Sequence, residues 1–316
     1  KEIWFRIMPP NGVTYDKQTD TWNFSDPSKE YPMSYFQVGG GKFGDDNNYP
    51  LANGGRNWRD AVLSDEFPGF VVYPQNMSRG GQPPNQSEDL IRALMDLLTV
   101  DRTRLYIHGT SNGGNSAWLT INAYPRLFAA ATPFSGISES GYSPQLLFTP
   151  IRQYQGGNDL NPAPGYTESI LNQFVANGGA TEYVLYPTLG HGTWNRGYSE
   201  DDYFTWLLSH KMNDIHVLFD NREICPGDPI NVTMGFTPGF TNYEWRKDGV
   251  LIAGENNNTL NVNQFGNYSG RILLEGEWTE WSDAVEIKLI DPSQSPPINV
   301  ENGLSHVIPS PDGKCI

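Results

Sequence analysis

The chain has 316 residues, 37% of them hydrophobic and 13% aromatic, enough apolar material to bury a sizeable core and too much for a disordered tail. Lys and Arg number 21 against 36 Asp and Glu, a net charge of −15, which disfavours a non-specific grip on nucleic acid or anionic lipid. Only Cys225 and Cys315 are present, excluding a disulfide scaffold or four-thiolate zinc site, and no apolar run approaches the roughly 20 residues of a membrane span.

In chain order, Met33 to Val38 predicts a strand entering the glycine run Gly39-Gly40-Gly41, and Phe70 to Tyr73 a second strand closed by Pro74. From Ser87, an N-cap followed by Glu88 and Asp89, the apolar residues Leu90, Ile91, Leu94, Leu97 and Leu98 recur at helical spacing to about Val100. Leu105 to Ile107 is a short buried strand. Asn112 to Tyr124 is a helix behind two glycines. Leu127 to Pro133, Thr149 to Tyr154 and Glu182 to Tyr186 supply three more strands, and Asp201 to Lys211 a last helix. Alternation of short β-rich runs with helical spacing predicts an α/β domain with a mostly parallel sheet over 1–213. After about Met212 the helical spacing vanishes. Short strands such as Ile230 to Met234, Tyr243 to Trp245 and Leu260 to Val262 predict a small all-β sandwich over 214–290. Residues 291–316 read as a Pro/Ser linker and the start of a further domain cut short, and the pairing of Cys225 with Cys315 stays open.

Gly109-Thr110-Ser111-Asn112-Gly113 matches G-x-S-x-G. Its context is a strand, a sharp turn and a helix, as needed to project a strained serine above a sheet's carboxyl edge. A serine hydroxyl attacks only when an imidazole takes its proton, and the imidazolium then needs a carboxylate. Asp159 follows a strand in the loop Gln155-Gly156-Gly157-Asn158-Asp159. His191 follows the next strand, in Gly190-His191-Gly192-Thr193-Trp194. Ser111, Asp159 and His191 are therefore the candidate catalytic residues. His108 should lie buried beneath the elbow, and the other histidines have the wrong order or loop. Oxyanion donors are assigned to the backbone of Asn112 and of Gly40 and Gly41. Trp194 is a candidate wall of the substrate pocket, with core packing its alternative. The acids Asp45, Asp46, Glu200, Asp201 and Asp202 lack an EF-hand pattern, so no metal and no cofactor is assigned.

These motifs, with Gly54-Gly55-Arg56-Asn57-Trp58 and the stretch from Phe67 to Gln75, resemble those of secreted α/β-hydrolase esterases of the polyhydroxybutyrate-depolymerase and feruloyl or acetyl xylan esterase type. Prolyl-oligopeptidase-like hydrolases are cousins of these. The resemblance covers about two thirds of the chain and implies a serine hydrolase, exported or at the cell surface, acting on a small or polymer-linked ester. One departure is that such enzymes usually carry a histidine before the oxyanion glycines, where this chain has Val38. The alternatives are a serine peptidase and a non-catalytic surface protein that keeps the scaffold. Tyr243 to Ile252 and Phe265 to Gly270 resemble the tryptophan strand and tyrosine corner of immunoglobulin-like domains, without the inter-sheet disulfide, since Gly270 stands where its cysteine would be. Such modules occur in large surface proteins of Bacteroidetes-type bacteria, so further domains are expected as neighbours.

Overall fold

The structure is a computed structural model and describes residues 2–77, 81–138, 144–219 and 222–290. The chain divides into two compact units, Lys1–Met212 and Asn213–Ile316. The expected linker, the further domain and Cys315 all lie outside the described residues.

The first unit is built on strands β1 (Phe5–Met8), β2 (Val13–Asp16), β3 (Thr21–Phe24), β4 (Tyr31–Gln37), β5 (Phe70–Pro74), β6 (Val100–Thr110), β7 (Ala130–Phe134), β8 (Ile151–Gly156) and β9 (Thr181–Tyr186). Between them run α1 (Gly55–Leu63), α2 (Pro84–Leu97), α3 (Asn112–Ala123) and α4 (Pro164–Ala176), and α5 (Trp194–Gly197) and α6 (Tyr203–Leu208) follow. Seven strands form one sheet in the order β1-β5-β4-β6-β7-β8-β9. All neighbours are parallel except the edge pair β1 and β5. β2 and β3 form a separate hairpin.

Strands β4, β5, β7 and β8 are buried along their whole length, because a parallel sheet needs a helical layer on each face. The strand period of two sorts side chains between those layers. Met33, Tyr35, Phe70, Val72, Leu105 and Ile107 pack with Ile91, Leu94, Trp118, Ile121, Ile170 and Phe174 of α2, α3 and α4. Phe36, Val71, Tyr73 and Tyr106 pack with Trp58, Val62, Phe204 and Leu207 of α1 and α6. The carboxyl ends of the strands, where such sheets carry their sites, are thereby left to loops.

Several predicted bounds move, each for a physical reason. Helix α2 starts at Pro84, whose fixed φ suits a first helical position. Ser87 is therefore not its cap; it is buried, and its hydroxyl accepts from Gln37 Nε2 at 2.8 Å. Val100 belongs to β6, which runs far beyond the predicted Leu105 to Ile107. The last helix shrinks to Tyr203–Leu208. Helix α4 was not foreseen, since Pro162, Pro164 and Gly165 obscure its start.

In the second unit every described element is a strand. His216–Phe219, Val232–Gly235 and Thr259–Val262 form one antiparallel sheet. The other is centred on Tyr243–Lys247, Gly266–Leu274 and Val285–Leu289. Trp245 is buried with its ring 4.6 Å from Phe236, and its Nε1 donates to Asn257 O at 2.9 Å. Tyr268 donates its hydroxyl to Gln264 O at 2.9 Å, fixing the turn that enters its strand.

Candidate active site

Ser111 stands between the end of β6 and the start of α3 with φ 56 and ψ −124, a backbone conformation few non-glycine residues adopt. Surrounding bonds hold it there. Its N–H donates to Phe134 O at 2.8 Å, and its carbonyl accepts from Asn115 N at 3.1 Å. A side chain on Gly113 would place its Cβ 2.0 Å from the carbonyl oxygen of Gln37, so only glycine lets α3 approach β4 this closely. The elbow is thus fixed by backbone packing.

The loops after β8 and β9 bring the other two residues to it. His191 Nε2 lies 2.7 Å from Ser111 Oγ, and His191 Nδ1 lies 2.9 Å from Asp159 Oδ2. An ionised carboxylate can only accept, so Nδ1 carries the proton and Nε2 is free to accept from the serine hydroxyl. The Asp159 side chain is 2% exposed, that of His191 41%. Buried charge needs donors. Asp159 Oδ2 also accepts from Gln155 Nε2 at 3.1 Å, and Oδ1 accepts from Asn161 N at 3.0 Å. The His191 loop is tied to the end of β7 by a 2.8 Å bond between the buried hydroxyls of Thr193 and Ser135.

A cleft of about 880 Å³ opens over these groups. Gly40, Gly41, Asn112, Ser111, Asp159 and His191 all line it. Asn112 is the first residue of α3, so its N–H has no acceptor inside the helix. Ile137, Leu160 and Tyr166 line the cleft as well. Trp194 is not among the lining residues. It stands edge-on to His191 with centroids 6.1 Å apart and packs against the aromatic layer, which is the packing alternative. Gln155, Ser135, Thr193 and Leu160 escaped the sequence reading; the one available signal was the run of polar residues Arg152, Gln153 and Gln155 in a strand that is buried throughout.

Three of the acids named in the sequence analysis bond within the chain. Asp46 accepts from the N–H groups of Asn48 and Tyr49, which holds its carboxyl below the usual range. Glu200 accepts from Tyr186 and Asp202 pairs with Arg152. Among the described residues no group of three or more His, Cys, Asp or Glu could hold a metal ion. His108 is buried against Trp58 and Phe36, where burial pushes its pKa well below that of a free imidazole. It lies on the α1 and α6 side of the sheet, away from the cleft lining.

Comparison with known proteins agrees with this architecture. A model of the prolyl oligopeptidase family matches residues 77–169. The probable acetylxylan esterase A of Neosartorya fischeri is 24% identical over 157 residues, 40% of this chain and 42% of that protein. The chain therefore spans less than half the length of this relative. Among solved structures, a thermostable esterase superposes with a TM-score of 0.57 at 24% identity, covering 66% of this chain and 59% of that one. An acetyl xylan esterase from Aspergillus awamori gives a TM-score of 0.44 at 15% identity over 65% of this chain and 94% of its own. The fold is that of the α/β-hydrolases. In sequence, the similarity is to an esterase and to the prolyl oligopeptidase family.

Proposed function

We propose that the chain hydrolyses carboxylic esters through an acyl-enzyme. Ser111 Oγ attacks the ester carbonyl while His191 Nε2 takes its proton, and Asp159 holds the imidazolium. The tetrahedral oxyanion receives N–H groups from Asn112 and from Gly40 or Gly41. Its collapse expels the alcohol, which leaves with the proton from His191. Water, deprotonated by the same imidazole, then attacks the acyl group and regenerates Ser111. The observation that carries this reading is the unbroken hydrogen-bond chain from Ser111 Oγ through both nitrogens of His191 to Asp159.

A peptidase reading draws support from the matching family model. The ester reading draws support from the esterase relative, and among the described lining residues of the cleft the one carboxylate, Asp159, is already engaged by His191. Short acyl nitrophenyl esters should be turned over at least 100-fold faster than matching peptide amides, and Ser111→Ala should abolish both. Equal or faster amide cleavage selects the peptidase, while folded protein without turnover selects the non-catalytic surface role. Export, placement at the cell surface within a larger protein, and an immunoglobulin-like nature of the second unit complete the proposal. The buried Trp245 and the Tyr268 bond support the last of these.

A further inference from the structure

Oxyanion donors act only if the loop carrying them is held at a fixed distance from the nucleophile. The side chain entering the glycine run cannot do this through a hydrogen bond. It is Val38, fully buried in the aromatic layer. Lys42 N donates to Gly39 O at 3.0 Å, closing a turn over Gly40 and Gly41, and Gly44 N donates to Asn76 O at 2.9 Å at the far end. What the near end rests on is a buried polar pair. Asn53, 7% exposed, donates its side-chain Nδ2 to Thr110 Oγ1 at 2.9 Å. A Cβ on Gly39 would lie 3.0 Å from Thr110 O, 3.1 Å from Thr110 Oγ1 and 3.2 Å from Asn53 Nδ2. The glycine therefore sits directly on that bond, and Thr110 is the residue immediately before Ser111.

We infer that Asn53 is a positioning residue for the oxyanion loop: its bond to Thr110 is the shared floor that sets Gly40 and Gly41 against Ser111. The inference rests on the esterase reading. Asn53 stands between the 3₁₀ turn Tyr49–Ala52 and α1, so the floor is anchored to a helix packed on the sheet rather than to another loop. It touches no substrate. A displaced floor weakens donors that matter in the transition state and leaves ground-state binding alone, so kcat falls while KM holds.

The test uses the whole chain, a short acyl nitrophenyl ester, and rates normalised to active sites titrated with a fluorophosphonate. Asn53→Ala and Thr110→Val should each lower kcat roughly 10- to 100-fold, with KM within about twofold. The double variant should be no slower than either single one. Thr110→Ser, which keeps the accepting hydroxyl, should stay within about threefold of the unmodified protein. An Asn53→Ala protein that is labelled and keeps its kcat overturns the inference alone, as does a loss of titratable sites with normal turnover per site. If Asn53→Ala fails to fold, the threonine pair decides: equal kcat for Thr110→Val and Thr110→Ser overturns it. An unmodified protein that is neither labelled nor active overturns the esterase reading, and this inference with it.

Discussion

The two halves of the site are held by different physics. On the nucleophile side, Ser111 is fixed by strand β6, helix α3 and glycines packed against carbonyl oxygens at distances no side chain tolerates. On the acid and base side, Asp159 and His191 stand in loops held by hydrogen bonds from Gln155, Asn161 and the Ser135 and Thr193 pair. One half is set by excluded volume, which is unforgiving and local. The other is set by several modest bonds, each of which can be removed without unfolding the sheet.

Breaking the first half should cost most. Gly113→Ala drives a methyl group into Gln37 O and should destabilise the first unit by about 3 kcal/mol or more, read as a lowered urea midpoint. An unchanged midpoint would mean that α3 can shift away from β4. Breaking the second half should cost less stability, about 1 to 3 kcal/mol for the buried partners that Gln155 leaves unpaired, and strike the chemistry. Gln155→Leu removes a donor from Asp159 Oδ2 and should lower kcat roughly 10- to 100-fold, about 1.4 to 2.7 kcal/mol, with KM little changed. A KM effect alone would place Gln155 in substrate binding.

Acid should destabilise the first unit through its buried histidines. His108, on β6, is held well below the ordinary imidazole pKa, and His210, after α6, is pushed down to about 4, both by burial. The unfolded chain binds a proton on each below about pH 6.5 while the folded one does not. Stability is therefore full above that pH and falls as pH drops toward the folded values, by up to about 1.4 kcal/mol per unit for each histidine. Urea unfolding of His210→Gln should show a shallower decline between pH 6.5 and 4; an identical slope would remove His210 from the account. The smallest effect belongs to the cleft lip. Leu160 is 91% exposed and lines the cleft, so Leu160→Ala should move stability by less than about 0.5 kcal/mol. KM for long acyl chains should rise a few-fold, while KM for acetate esters stays put.

The same contrast explains how much could be read in advance. The elbow was legible because excluded volume writes itself as glycines at fixed spacing around Ser111. The order of Asp159 and His191 was legible because each stands in a glycine-bearing loop directly after a strand. Gln155, Thr193 and Asn53 were not, since a hydrogen bond between residues 4 to 58 positions apart leaves no local pattern. Strand β6 was cut short because Asp101, Arg102 and Arg104 break its apolar run, although Asp101 accepts from Thr103 and Arg104 donates to Leu208 O in the folded chain. The start of α4 was hidden by prolines that read as a turn.

The proposed reaction passes through an acylated Ser111. The protein should be quenched in acid within milliseconds of mixing with a nitrophenyl ester, digested with trypsin and weighed. An acyl increment is expected on the peptide Leu105–Arg126, located at Ser111, appearing with a burst of nitrophenol and absent from Ser111→Ala. Steady ester turnover with no increment on that peptide, or with the acyl group on another side chain, would contradict it.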